Sequence, residues 1–313
     1  MKVYLKSKSN NYIVTIAIGK IYLNNWKEFA LPTWKKYCLK HDIGLIVFTK
    51  ELISKEDPKW KKPTWQKLLL GIKLSELKLI IKNVCYMDTD FLINYVNAPN
   101  IFKFYNPKTI GVVSMHKNIN CSIDYALKSV AFNRKKFVDS NFPLNSALHL
   151  NIEEKFKFDN LKVFNDFFCA GLFLFNIKNH SKILNNWFNK YDSKIVTMTG
   201  GDQPLMNYEI LNYNKITWLD YKFHTIWLYE IGYKYPFLLH KKNNSKKEII
   251  NCIEASLMSC YFLHFAGSWI ESNMWKNKNI LLSKEKNKYY REFSIYLSKK
   301  IKPKNYGKIS AKK

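Results

Sequence analysis

Two aspartates two residues apart, Asp88 and Asp90, interrupt the apolar segment VCYMDTDFLIN (84–94). Residues two apart in a β-strand point to the same face, so a strand through this segment would place the two carboxylates side by side. Burying two unpaired like charges costs several kcal/mol. The sequence therefore predicts one of three outcomes: the strand ends in solvent here, a cation is supplied, or one carboxyl has a raised pKa. Each outcome indicates a functional site.

A divalent cation is the ligand that an Asp-x-Asp pair at the end of a buried strand favours. Mg²⁺ and Mn²⁺ are commonly held by one or two carboxylates together with phosphate oxygens of a substrate; the alternative is a pair of solvated loop carboxylates. His264 ends the apolar segment CYFLHFAGSW (260–269) and is a further candidate ligand, although a single histidine is more often structural. Ala266 and Gly267 beside it are small enough to let a diphosphate approach the backbone.

Alternating strand-like and helix-like segments surround these candidate ligands. Short apolar runs predict strands, whereas apolar residues three or four apart predict helices such as 65–79. The predicted strands lie at 12–18, 43–49, 84–94, 110–114, 167–177 and 260–269. Their order predicts an α/β fold with a mostly parallel central sheet flanked by helices, and ligands at the carboxyl ends of the strands. Residues 116–160 are polar and weakly periodic, which we interpret as a long excursion over the sheet.

Charge and cysteine content restrict the partners and the compartment. The formal net charge is +27, but only two of the 51 basic residues are arginines, and recognition of bases and phosphates favours the guanidinium. This composition argues against nucleic acid and for a basic surface suited to anionic substrates or anionic lipid. The six cysteines form no Cys-x-x-Cys pair, which indicates free thiols in a reducing compartment. We found neither a signal-peptide pattern nor an apolar stretch of the ~18 residues that a membrane span needs. We therefore expect a cytoplasmic protein, soluble or peripheral on the cytoplasmic face of a membrane.

A basic segment, residues 284–313, follows the predicted catalytic domain of residues 1–283. It carries 11 basic and two acidic side chains, a net charge of +9. The apolar residues that recur on one face of its predicted helix are Tyr290, Phe293, Leu297 and Ile301. One interpretation is a terminal helix docked on its own domain; the other is a basic aromatic helix lying on an anionic membrane.

Four segments, in this order and spacing, resemble the retaining nucleotide-sugar glycosyltransferases of the GT-A fold, especially families 8 and 34. The segments are YMDTDFLI, CAGLFLFN, GDQPLMN and HFAGSW. A Trp-x-Lys sequence within PTWQKLLL (63–70), ahead of the Asp-x-Asp strand, is similar to the arrangement in family 34 and implies a nucleotide-binding role for Lys67. The resemblance covers about residues 12–275 and implies a Rossmann-like GT-A domain.

The resemblance also implies roles for the matching positions. The implied ligands of Mn²⁺ or Mg²⁺ are Asp88, Asp90 and His264, and Asp88 would also contact the ribose of the donor. The residues implied to line the nucleotide pocket are Ala17, Gly19 and Gly267. Asp202 and Gln203 would face the transferred sugar and its anomeric carbon. The metal would bridge the two phosphates and neutralise the charge on the departing nucleoside diphosphate.

Two positions depart from the family pattern. Cys169 stands where family members commonly have Asn, so one hydrogen bond to the sugar is either missing or supplied by another residue. Ile270 stands where family 8 members commonly carry a lysine that contacts phosphate, and the nearby Lys276 is the candidate to replace it.

The predicted function is transfer of a hexose, galactose or glucose, from a UDP-sugar to a hydroxyl of a glycan or glycolipid acceptor, as in polysaccharide biosynthesis. An amide is a poor base and a poor nucleophile, so Gln203 at the anomeric carbon predicts retention through same-face attack. A metal-dependent nuclease or phosphotransferase is one alternative, although two-metal catalysis normally needs more clustered carboxylates. A nonenzymatic sugar- or anion-binding module on the same fold is the other.

Overall fold

A computed structural model of the chain describes residues 1–119, 121–142, 150–195, 197, 201–240, 244–267, 269–281 and 284–299. Within these residues the strands are β1 (Lys2–Leu5), β2 (Asn11–Ile16), β3 (Gly44–Phe48), β4 (Asn83–Met87), β5 (Phe91–Ile93), β6 (Ile110–Val112), β7 (Leu172–Asn176), β8 (Ile216–Trp218), β9 (Thr225–Ile226) and β10 (Phe262–His264). The α-helices are α1 (Lys20–Asn25), α2 (Leu31–His41), α3 (Pro63–Gln66), α4 (Leu70–Ser75), α5 (Ile123–Asn133), α6 (Ile152–Phe158), α7 (Ile177–Lys190), α8 (Gln203–Tyr213), α9 (Trp227–Lys234), α10 (Phe237–His240), α11 (Lys246–Ser259) and α12 (Lys284–Ser298). The predicted α/β class, with helices flanking a central sheet, is confirmed.

The central sheet has the strand order β1-β3-β2-β4-β7-β6-β8. β2 pairs in parallel with β3 and β4, and β6 with β8, whereas the β1–β3, β4–β7 and β6–β7 pairings are antiparallel. The sheet is therefore mixed: three of its six pairings are parallel, and five of its seven strands run in one direction, so the predicted parallel order holds for those five strands but not for β1 and β7. β7 enters between β4 and β6 in the opposite direction, and β1 adds an antiparallel edge. β2, β3, β4, β6 and β8 nevertheless end along one edge of the sheet, the edge at which ligands bind in such folds.

Alternate residues of the strands contribute to two hydrophobic cores, one on each face of the sheet. Ile13 and Leu45 lie in the core that α2 and α11 cover, whereas Val14 and Ile46 lie in the core that α4, α7 and α8 cover. Because both faces are buried, these strands are continuous apolar runs in the sequence. Full burial of each such aliphatic side chain contributes roughly 1.5–3 kcal/mol.

A second, three-stranded sheet has the order β5-β10-β9 and holds the chain around the Asp-x-Asp pair. β10 pairs antiparallel with β5, with His264 opposite Phe91, and in parallel with β9, with His264 opposite Ile226. The segment 84–94 is therefore not one strand, because β4 ends at Met87 and β5 begins at Phe91. The turn between them carries the two aspartates and lies beside the end of β10.

Residues 116–160 contain more regular structure than their polar composition predicts. They include α5, a π-helical turn at Arg134–Val138 and α6. The buried residues of α5 recur at helical spacing, and they include Ile123, Ala126, Leu127 and Val130. This apolar face packs against α9, so this part of the predicted excursion is a helix packed on the domain, which the weak periodicity did not indicate.

The first half of α12 docks on the rest of the protein. Tyr290 is only 2% exposed and belongs to the same core as α11 and β10. Lys286 Nζ lies 2.8 Å from Glu254 Oε1 of α11. Phe293 is half-buried, whereas the Leu297 side chain and Ile301 lie outside the described residues. None of the helices in the described ranges combines the length and the apolar character needed to cross a membrane.

Candidate active site

The Asp88–Asp90 turn is fixed by backbone hydrogen bonds on both sides. The N–H of Asp88 donates to the carbonyl of Gly171 at 2.9 Å, and the carbonyl of Asp90 accepts from the N–H of Phe265 at 3.0 Å. The turn is thus held between the segment that leads into β7 and the residue that follows β10. These two segments carry the motifs CAGLFLFN and HFAGSW, so the structure brings three of the four predicted motifs together here.

Asp88, Asp90 and His264 form a group that could hold a metal ion, since one ligand atom from each lies within 4.8 Å of the others. His264 Nε2 lies 3.3 Å from Asp90 Oδ1. Burial raises the pKa of Asp88 above its ordinary value, and Lys67 opposes that shift. Burial disfavours protonation of His264, but the Asp90 carboxylate outweighs it and raises the pKa of His264 to about 10. The pKa values of Asp88 and His264 are thus both raised by their surroundings.

Gly171 is the residue that allows this close arrangement. A Cβ atom at position 171 would meet His264 Cε1 at 2.5 Å and Asp88 Oδ2 at 2.9 Å. Any other residue would push these two side chains apart. The two carboxylates and one imidazole supply oxygen and nitrogen donors, which suit Mn²⁺ and, with more substrate or water oxygens, Mg²⁺. The donor set and the space kept by Gly171 fit such a metal.

A cavity of about 640 Å³ opens beside the turn. Its lining combines three kinds of groups: the acidic turn, the apolar side chains of Ile18 and Tyr22, and the cationic Lys62 and Lys276. Gly267 also lines it, with a φ of +107° that favours glycine. This volume is typical of small-molecule sites, which occupy roughly 300–1,000 Å³.

Some of the residues predicted to bind the nucleotide line the cavity and others do not. Ala17 is buried in the core and Gly19 is exposed at the start of α1. Neither is among the residues that line the cavity; their neighbours Ile16 and Ile18 line it instead. Ile270 is 63% exposed. Lys276 lines the cavity and donates a hydrogen bond to Asn273 Oδ1 at 2.6 Å.

Lys67 and Asp202 form a buried ion pair rather than part of the cavity wall. Lys67 Nζ lies 3.0 Å from Asp202 Oδ2 and donates a hydrogen bond to the carbonyl of Ala170 at 2.8 Å. Burial opposes the charge of Lys67, but Asp202 and Asp88 outweigh it and raise the pKa of Lys67. Asp202 precedes α8 without a side-chain hydrogen bond to the helix N-terminus. Gln203 begins α8, and its Oε1 accepts from the N–H of Ala170 at 3.3 Å.

Two further side chains, His224 and Cys169, lie behind His264, and the sequence analysis did not identify His224. His224 Nε2 lies 2.8 Å from His264 Nδ1, and Cys169 Sγ lies 3.8 Å from the same nitrogen. Burial, followed by the charges of His264 and Lys67, lowers the pKa of His224 well below its ordinary value. Cys169, His224 and His264 form a second buried group whose ligand atoms lie within 4.8 Å of one another. Only the two-residue strand β9 follows His224, so its segment lacks a strand pattern that could have drawn attention to it.

No protein-family model matches the chain. No curated protein matches it either. Among solved structures, a glycosyltransferase involved in the glycosylation of the major capsid of PBCV-1 is similar over 85% of this chain and 98% of its own length, with a TM-score of 0.48 and 11% identity. The bifunctional glycosyltransferase WbbM, in its apo structure, is similar over 92% of this chain, with a TM-score of 0.43 and 12% identity. This chain covers 52% of WbbM. At this level of similarity, the activity has to be inferred from the side chains of the site.

Proposed function

We propose that the protein is a metal-dependent glycosyltransferase that moves a hexose, galactose or glucose, from a UDP-sugar to a hydroxyl of a glycan or glycolipid acceptor, with retention of configuration. One observation carries the proposal. Asp88, Asp90 and His264 converge beside a cavity of about 640 Å³, at the edge of the sheet where the carboxyl ends of its strands meet. The motifs that resemble glycosyltransferase families 8 and 34 supply these same residues.

The cavity wall suits a nucleoside diphosphate. Tyr22 and Ile18 offer apolar surface to a base, whereas Lys62 and Lys276 offer positive charge to phosphates. Gly267 lets a phosphate approach the backbone. Mn²⁺ or Mg²⁺ bound by the Asp-Asp-His group would supply positive charge to the departing diphosphate.

Asp202 and Gln203 have different roles in this proposal. Asp202 is paired with Lys67 and only 4% exposed. It therefore stabilises the packing next to the site rather than acting as a nucleophile. The Gln203 side chain is anchored through its Oε1 to Ala170, which leaves its N–H₂ group to donate towards the sugar. An amide at this position favours attack from the leaving-group face, with the departing diphosphate accepting the proton of the acceptor hydroxyl.

The alternative enzyme classes need features that the described part of the chain does not offer. Two-metal nucleases and phosphotransferases need carboxylates around a second metal. The other candidate metal group in the described residues, Cys169 with His224 and His264, contains no carboxylate. A nonenzymatic binding module on this fold would share the cavity but would not turn over the donor.

The experiment that tests the function is hydrolysis of UDP-galactose and UDP-glucose by the purified chain, with Mn²⁺ and then with EDTA. We expect release of UDP from one donor that depends on Mn²⁺. Asp90→Asn should lower the rate at least ~100-fold, because it removes a charged ligand. Asp124→Asn is the matched control, since Asp124 is exposed and pairs with Lys128 of its own helix. Donor binding without turnover would favour the binding module, and equal rates in EDTA would contradict the metal site.

A further inference from the structure

We propose that His224 is a positioning residue that holds the imidazole of His264 so that Nε2 faces the metal site. This inference rests on the metal site of the proposed function and adds a residue outside the motifs that define it. Its basis is the hydrogen bond of 2.8 Å between His224 Nε2 and His264 Nδ1.

The two nitrogens of His264 have different neighbours. Nε2 faces Asp90 Oδ1 at 3.3 Å, on the side of the candidate metal site, whereas Nδ1 faces His224 Nε2 at 2.8 Å and, farther away at 3.8 Å, Cys169 Sγ. A metal binds the nitrogen that carries a free electron pair, so Nε2 can ligate only when the remaining proton is on Nδ1. His224 Nε2 accepts that proton's hydrogen bond and thereby selects the ligating tautomer. Imidazole ligands in proteins commonly donate their second N–H to such a partner.

The surrounding structure fixes both rings. His264 stacks on Phe91, with ring centroids 4.1 Å apart and an angle of 7° between the planes. Phe91 also contacts His224, at a centroid distance of 5.0 Å. β9 follows His224 directly and pairs in parallel with β10, which ends at His264. The backbone pairing and the shared contact with Phe91 therefore set the separation of the two imidazoles.

The far side of His224 is also buried. When Nε2 accepts a hydrogen bond, the proton of neutral His224 lies on Nδ1. That atom is buried and has no hydrogen-bond partner among the described residues. A small cavity of about 30 Å³, lined in part by His224, Thr225 and Glu230, has room for one water. A ring in this position has little freedom to turn and offer its other nitrogen to His264.

The test is titration of the purified full-length chain with Mn²⁺ alone, with free Mn²⁺ followed by electron paramagnetic resonance. We expect His224→Phe, which keeps a ring but removes the acceptor, to weaken Mn²⁺ binding about 10- to 100-fold. His224→Gln, which places an amide oxygen near the position of Nε2, should retain most of the affinity. His180→Phe is the matched control, because His180 is a fully buried histidine of α7 that accepts a hydrogen bond from the backbone N–H of Asn176 and does not line the cavity.

Thermal unfolding of each variant separates a loss of metal affinity from a loss of folding. Wild-type affinity in His224→Phe would overturn the positioning role while leaving the metal site intact. An equal loss in His180→Phe and His224→Phe would also overturn it, since general destabilisation would then explain both. If His224→Phe does not fold, the test rests on His224→Gln. A folded His224→Gln that loses as much Mn²⁺ affinity as Asp90→Asn would overturn the positioning role. Absence of Mn²⁺ binding by the wild-type chain would instead overturn the metal site of the proposed function.

Discussion

Lys67 Nζ lies 3.0 Å from Asp202 Oδ2, and the two side chains are only 3% and 6% exposed. Lys67 precedes β4 in the chain and Asp202 precedes α8, so the ion pair ties together segments that lie on either side of β7 in the sequence. The same ammonium group donates a hydrogen bond to Ala170, beside the start of β7. The sequence resemblance implied a nucleotide-binding role for Lys67, whereas this geometry favours a structural cation that neutralises Asp202 beneath the site.

We expect Lys67→Met to lower the free energy of unfolding by about 3–5 kcal/mol, because it leaves the Asp202 carboxylate buried without its partner. The double variant Lys67→Met with Asp202→Asn should lose less than the sum of the single losses. Urea unfolding measures all three. Lys73→Met is the control, since the Lys73–Glu76 pair is exposed and should contribute about 0–1 kcal/mol. A loss no larger than that of Lys73→Met would contradict a structural role.

The metal-ligand group illustrates what the sequence can predict. The Asp-x-Asp spacing and the strand-end histidine predicted the candidate ligands, since both depend on local composition. Their meeting depends on the antiparallel pairing of β5 with β10, which places His264 opposite Phe91. The partner in that pairing lies about 170 residues further along the chain, and the apolar pattern of a three-residue strand does not specify it. The resemblance to known motifs, rather than periodicity, linked the two segments.

The errors in the predicted fold have a similar origin. The direction of β7 could not be read from its apolar residues, because a strand buried on both faces has the same composition in either direction. His224 was missed because the strand after it, Thr225–Ile226, is too short for a periodic signal. The burial of Lys67 and its pairing with Asp202 likewise depend on tertiary packing, which the sequence around Lys67 does not specify.

The stability of the protein should fall between pH 6.5 and pH 4 partly because of His116. Burial, together with Lys155, lowers the pKa of His116 to about 4, below its ordinary value of 6.5. In that interval the unfolded chain binds a proton that the folded protein does not, so acid favours unfolding. His116→Gln should remove on the order of 1 kcal/mol of the difference in unfolding free energy between pH 7 and pH 5, allowing for the solvent that reaches this half-buried ring. Identical pH profiles for the variant and the wild type would exclude this contribution.

Two predictions concern the basic C-terminal segment: one on its contribution to stability and one on its binding to membranes. Tyr290 is buried in the main core, so Tyr290→Ala should lower the unfolding free energy by about 3 kcal/mol.

Residues 300–313 carry six lysines and no acidic residue, and each lysine near an anionic membrane contributes about 1 kcal/mol of attraction. Deleting 300–313 should therefore reduce sedimentation with phosphatidylserine vesicles, and added salt should do the same for the intact chain.

A variant with all six of these lysines changed to glutamine is the matched control for the deletion. Loss of vesicle binding in both variants, with an unchanged melting temperature, would support an electrostatic membrane contact. Binding that survives in both variants would exclude the lysines of residues 300–313 as the membrane contact.

The anomeric configuration of the product depends on which group faces the anomeric carbon. Inversion needs a carboxylate base beside the acceptor hydroxyl, whereas retention through a covalent intermediate needs a carboxylate nucleophile. Gln203 is neither, and Asp202 is held in its ion pair with Lys67. We therefore expect an α-linked product from the α-linked donor. Proton NMR of the initial product distinguishes the two outcomes, and a β-anomeric signal would contradict both retention and the role of Gln203.

The contribution of Gln203 should appear in the rate rather than in donor binding. Gln203→Ala should lower kcat on the order of 10- to 100-fold, because a hydrogen-bond donor aimed at developing charge acts mainly in the transition state. Calorimetric titration with UDP in the presence of Mn²⁺ should give nearly the wild-type Kd. Gln203→Glu is the sharper variant, since its carboxylate can still accept from the N–H of Ala170 but no longer donates. If the hydrogen bond donated by Gln203 lowers the barrier, Gln203→Glu should be as slow as Gln203→Ala. If the hydrogen bond to Ala170 is sufficient, Gln203→Glu should keep the wild-type rate. The second result would contradict the proposed contact with the sugar.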